Sequence, residues 1–132
     1  GRMLSQAGQA PDLAVSSSAL RARATLQLAV RAGRWHCPIR IDNALYGCSS
    51  KSILNWIRVL DENPARLLLT GHEPTWSELA GGLIGDANLR IPTATMLRID
   101  FGMQSWDSID YGRGQLKWLM PPKLLCGPRD RK

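Results

Sequence analysis

An α/β fold in which strands alternate with helices and give way to a β-rich end is predicted by three features of this 132-residue chain. Short apolar runs at Leu13–Val15 and Arg66–Thr70 are separated by segments whose apolar residues recur at helical spacing. Each run leads straight into a loop of serine, or of glycine and proline, and then into a helix, which is the sequence form of a β-α unit. Beyond Gly85-Asp86 the apolar period drops from helical to two, over Thr95–Phe101 and again over Gln115–Met120. Gly112-Arg113-Gly114 supplies turn chemistry between these runs, so they read as an antiparallel hairpin at a sheet edge.

The elements follow in order. Gly1–Gln9 carries Met3 and Leu4 and reads as the last turns of an amphipathic helix stopped at Gly8. Leu13–Val15 is a short buried strand. Ser18 is positioned to cap a helix over Ala19–Val30, with Leu20, Leu26, Leu28 and Val30 as its apolar positions and Gly33 as its end. Pro38–Ile41 is a second strand, and Asn43–Ser49 is loop. Ser49 or Ser50 caps a helix over Lys51–Leu60, whose Ile53, Trp56, Ile57 and Leu60 share one face. Arg66–Thr70 is compact and apolar, as expected of a parallel strand buried on both faces. Trp76, Leu79, Ala80 and Leu83 mark the helix that follows Pro74. Pro121-Pro122 stops the last strand, and Cys126–Lys132 is a flexible basic tail. The domain is expected to occupy residues 1–125.

Composition narrows the function. Hydrophobic residues make up 44% and charged residues 21%, so the chain can bury a core and is not of the disordered class. No apolar run approaches a membrane span, and Gly1–Pro11 lacks the charged start and apolar stretch of a signal peptide. Cys37, Cys48 and Cys126 are odd in number and without CxxC spacing, which suits reduced thiols in the cytoplasm. The net charge of +6 lies wholly in residues 1–60, where eight Lys and Arg face Asp12 and Asp42. Such an excess favours anionic partners. The arginines form no dense block and no zinc-finger or RNP-type motif is present, which disfavours nucleic acid. A phosphate pocket and a solvated basic face remain.

In an open α/β sheet, ligands collect outside the carboxyl ends of the strands. Two loops stand there, Ser16-Ser17-Ser18-Ala19-Leu20-Arg21 and Thr70-Gly71-His72-Glu73-Pro74. Both open onto helices, so both offer free backbone N–H groups and a positive dipole end. Arg21 adds a planar fork suited to phosphate oxygens, and His72 a donor that can carry charge. Together they describe an anion pocket.

At these segments the chain resembles the histidine phosphatase (phosphoglycerate mutase-like) superfamily. SSSALRARAT at Ser16–Thr25 is similar to its S-S-P-x-x-R-A-x-Q-T box. LLLTGHEPTWSELAGGL at Leu67–Leu83 is similar to its second-histidine motif, V-G-H-x-P, in the form of the SixA-type phosphohistidine phosphatases. Ala44-Leu45-Tyr46, Ile91-Pro92-Thr93-Ala94, Trp106, Gly112–Leu116 and Pro121–Leu124 agree with that branch, so the likeness runs from Ala10 to Leu125 in the family's order. Ser18 and Ala24 depart from the box's proline and glutamine. The family's Arg-His-Gly motif, which carries its nucleophile on a first strand, does not occur here, and Gly1–Gln9 matches the tail of the helix after that strand. The domain is therefore expected to be incomplete at its N-terminal side. Arg34-Trp35-His36 is no substitute, and His36 reads as a surface histidine.

The resemblance implies a three-layer sandwich, with a mostly parallel sheet between helices. It implies a phosphatase that passes the phosphoryl group from a phosphorylated histidine on a protein to its own histidine and then to water. That substrate would be a phosphotransfer domain of a histidine kinase or, failing that, a small phosphate ester. Arg21 becomes the phosphate clamp and His72 the donor that offsets charge in the transition state. Glu73 and Thr93 are weaker candidates, Glu73 because acids at helix starts are common for dipole reasons alone. No metal or cofactor is implied. The alternative is a phosphate-binding or interaction module of the same fold without activity.

Overall fold

The computed structural model describes residues 1–71, 73–91 and 95–121. Its elements are α1 (Arg2–Gln6), β1 (Leu13–Ser16), α2 (Leu20–Gly33), β2 (Ile39–Ile41), a 3-10 turn (Asn43–Leu45), α3 (Ser50–Arg58), β3 (Leu67–Thr70), α4 (Thr75–Leu83), β4 (Met96–Phe101), a second 3-10 turn (Trp106–Ser108) and β5 (Gly114–Met120). The α/β reading holds throughout. The expected tail over 126–132 lies outside the described residues.

β1 is the middle strand of a parallel sheet ordered β2-β1-β3, with Leu13 opposite Leu67 and Ser16 opposite Thr70. Being paired on both edges and covered on both faces, it is buried along its whole length. The strand period of two then sorts the core into two layers. Leu13 and Val15 point to one face and pack with Ile53, Leu54 and Ile57 of α3 and Leu79 and Leu83 of α4. Ala14 points to the other and packs with Leu4 of α1, Leu26 of α2 and Trp35. Helices thus cover both faces, giving three layers.

β4 and β5 form the antiparallel hairpin, running from Met96 opposite Met120 to Phe101 opposite Gly114, with a register irregularity between Arg98 and Ile99. Its side chains divide as those of the parallel sheet do. Ile99 and Phe101 join Leu67 and Leu69 on the α3/α4 face, whereas Met96 and Trp118 join Leu68 on the α1/α2 face. Trp118 Nε1 also donates to Gln9 Oε1 at 3.2 Å, tying the hairpin to the segment after α1. Arg98 forks onto Asp100 at 2.6 and 3.0 Å, and this bond holds the Asp100 carboxyl below the usual carboxylate range. Lys117 and Arg66, the residue before β3, add to the field at Asp100.

Three expectations need correction. β3 is not buried on both faces: all four of its residues are half-exposed, because among the described residues only one of its edges is paired. Leu20 and Leu28 are not core positions of α2, being 73% and 65% exposed. The helical period instead turns Ala22 and Leu26 inward, and Leu20 and Leu28 fall on the opposite side. Ser18 does not cap α2, whose N-cap is Ala19 without a side-chain bond. Ser49, by contrast, caps α3 as read, its Oγ accepting the Ser52 N–H at 3.2 Å.

Candidate active site

The two loops singled out in the sequence meet. Parallel pairing of β1 with β3 brings their carboxyl ends level, and the bonding continues past the strands: Ser17 N–H donates to the Thr70 carbonyl at 3.0 Å. Thr70 Oγ1 then donates to the carbonyl of Ala22 in the first turn of α2 at 3.3 Å. On the other flank, Asp42 N–H, just beyond β2, donates to the Ser16 carbonyl at 2.9 Å. The Ser16–Ala19 loop is therefore held between the ends of β2 and β3, and α2 starts beside Thr70.

Arg21 is the second residue of α2 and lies at this end of the sheet, exposed. Its carbonyl accepts from Thr25 Oγ1 at 2.9 Å, and its guanidinium has no hydrogen-bond or ion-pair partner among the described residues. His72 and Thr93 lie outside the described residues, but their neighbours do not. Gly71 lies against the indole of Trp76: a Cβ built there would stand 1.8 Å from Trp76 Nε1, so any other residue would have to push the indole aside. Glu73 Oε1 accepts the Ser77 N–H at 2.9 Å, and Ser77 Oγ donates to Glu73 Oε2. The carboxylate thus satisfies a free donor in the first turn of α4, where the dipole also favours it. Ser77 Oγ in turn accepts from Ile91 N–H at 3.0 Å, which draws the segment leading to Thr93 up to the β3–α4 loop.

Two further groups at these strand ends escaped the sequence reading. Ser17 is fully buried, and its Oγ has no hydrogen-bond partner among the described residues; neither has the buried Trp76 Nε1. Nothing in the serine run distinguishes Ser17 from its neighbours, and Trp76 had been read only as an apolar helix position. A cavity of about 500 Å³ opens on the α4 side, lined by Glu73, Pro74, Ser77, Glu78 and the 86–90 segment, without Arg21 in its wall. His36 is exposed between α2 and β2, at the amino end of the sheet and away from this site. Among the described residues no three His, Cys, Asp or Glu side chains gather as a metal site, and no helix is long and apolar enough to cross a membrane.

No protein-family model and no curated protein sequence matches the chain. Solved structures do, and the class they define is that of the SixA histidine phosphatases. SixA from Agrobacterium tumefaciens, assigned as a phosphohistidine phosphatase, shares 24% identity at a TM-score of 0.74, over 91% of this chain and 73% of its own. A SixA from Nakamurella multipartitia, assigned likewise, shares 22% identity at a TM-score of 0.73, over 92% and 81%. The protein histidine phosphatase SixA complexed with tungstate shares 20% identity at a TM-score of 0.78, over 95% and 78%. At these identities the likeness shows the fold: this chain has the SixA fold, with the parallel sheet, the flanking helices and the antiparallel hairpin.

Proposed function

We propose that the chain is the phosphate-holding part of a phosphohistidine phosphatase acting on a histidine-phosphorylated protein in the cytosol. The observation that carries this reading is the meeting of the β1–α2 and β3–α4 loops at one end of the sheet, joined through Ser17 and Thr70. That arrangement sets the start of α2, with Arg21 in its first turn, beside Thr70 at the end of the sheet, where an anion finds free donors. Ser17 Oγ and Trp76 Nε1, buried and without a partner among the described residues, support it, since an oxyanion there would satisfy such groups. Likeness in fold to a phosphatase complexed with tungstate, a phosphate-shaped oxyanion, points the same way.

In the reaction, a nucleophilic histidine attacks phosphorus, the P–N bond to the substrate imidazole breaks, and water then takes the phosphoryl group. Arg21 clamps equatorial oxygens and His72 donates to the charge that develops on them. Glu73, engaged with Ser77, holds the first turn of α4. Thr93 is the candidate from the segment beside Ile91. The nucleophile is neither His36 nor His72, and Gly1–Lys132 contains no Arg-His-Gly. An added strand bearing that tripeptide would supply it.

Purified Gly1–Lys132 is therefore expected to leave a phosphohistidine protein intact, and to dephosphorylate it once an N-terminal strand with Arg-His-Gly is fused or added. Turnover by the chain alone at about 1 per second or faster, typical of enzymes, would show the nucleophile to be misplaced.

A further inference from the structure

Resting on the reading just given, a further role falls to a residue outside the pocket. The loop before Arg21 departs from the box it resembles at Ser18, which stands where the box has proline. Proline stiffens a chain through its fixed φ. Here the Ser18 hydroxyl donates instead to Asn43 Oδ1 at 2.6 Å. Asn43 opens a 3-10 turn that is itself fastened down. Asp42 Oδ1 accepts the Ala44 N–H at 2.9 Å, and Asp42 Oδ2 accepts the Trp56 Nε1–H of α3 at 2.8 Å. Leu45, at the end of the turn, is 3% exposed in the core beside Ile53 and Leu54.

We infer that Asn43 is a positioning residue for Arg21: through Ser18 it fixes the start of α2, replacing by a hydrogen bond the rigidity that proline gives the related box. Ser18 and Arg21 lie within one helical turn of each other, so a change of angle at Ser18 swings the guanidinium across the pocket. No side chain caps α2; the Ser18–Asn43 bond tethers the loop before it, as Thr70 Oγ1 on the Ala22 carbonyl tethers its first turn. The Ser18 N–H makes no backbone hydrogen bond among them, so proline at this position sacrifices no backbone partner.

The test compares tungstate affinity by isothermal titration for Gly1–Lys132 fused to an apolar strand ending in Arg-His-Gly and for its Asn43→Ala, Ser18→Ala, Ser18→Pro and Ser18→Pro/Asn43→Ala variants. Either alanine is expected to weaken binding about three- to tenfold, the range for one net hydrogen bond. Ser18→Pro is expected to bind as the parent does, and in that background Asn43→Ala should change nothing. If the proline variant fails to fold, Ser18→Thr, which keeps the hydroxyl, is expected to bind as the parent does. An Asn43 that merely stabilises the fold would instead lower the unfolding midpoint equally in both backgrounds and leave affinity alone, which overturns the role. Equal loss of affinity in the serine and proline backgrounds overturns it too. A parent chain that does not bind tungstate overturns the pocket itself, and the positioning role with it.

Discussion

Replacing Arg21 by alanine is expected to weaken phosphate and tungstate binding by about ten- to a hundredfold, the worth of a hydrogen-bonded fork to a charged group. The side chain is exposed at the carboxyl end of β1 and has no partner among the described residues, so its removal breaks no bond among them. The unfolding midpoint should therefore stay where it is. Arg21→Lys should recover only part of the affinity, because an ammonium cannot present the same planar fork. Titration followed by calorimetry or by the phosphorus resonance of phosphate reads both effects. Unchanged affinity in the alanine variant would remove Arg21 from the pocket.

The second large effect concerns stability. β1 pairs directly with β3, so no strand can lie between them, and the unpaired edge of β3 is the one away from β1. The hairpin lies on the β3 side of the core, for Leu68 shares one layer with Met96 and Trp118, and Leu67 and Leu69 share the other with Ile99 and Phe101. Arg66, just before β3, acts on Asp100 near the end of β4. Both layers thus run on from the parallel sheet to the hairpin, yet among the described residues no backbone ladder joins the two sheets. A strand seated there would pair with β3 on one side and β4 on the other. At about 1 kcal/mol net for each of some four hydrogen bonds, it would raise the unfolding midpoint by roughly 10–20 °C. Gly1–Lys132 alone is accordingly expected to unfold early or to associate through these edges. Fusion of an apolar strand ending in Arg-His-Gly should give a monomer with a higher, sharper transition. A monomeric, cooperative transition that the added strand does not raise would show that the two sheets need nothing between them, and would favour an inactive binding module.

Much of this was legible in the sequence because the signals were local. The run Leu13–Val15, the row Ile53, Trp56 and Ile57, and the alternation Leu97, Ile99, Phe101 each report their own backbone period. Leu20 and Leu28 misled because a leucine carries no mark of the side it faces; Ala22 and Leu26 took the inner face of α2, and the outer leucines stayed in solvent. Burial of β3 depended on its neighbours across the sheet, which Arg66–Thr70 cannot encode. At the candidate site, the two loops that meet at the ends of β1 and β3 were readable from residue type and place. Asn43 and Ser77 were not: each matters through one hydrogen bond to a residue distant in sequence, Ser18 in one case and Ile91 in the other. Ser18 itself, read as a helix cap, points across to the 3-10 turn instead.

The most direct measurement is a crystal structure of Gly1–Lys132, fused to a strand ending in Arg-His-Gly, soaked in tungstate. The account predicts one oxyanion at the carboxyl ends of β1 and β3, with the Arg21 guanidinium and a His72 ring nitrogen each on the order of 3 Å from its oxygens. Arg21 and His72 on opposite edges of the sheet, or tungstate bound elsewhere while this end stays in water, would contradict it.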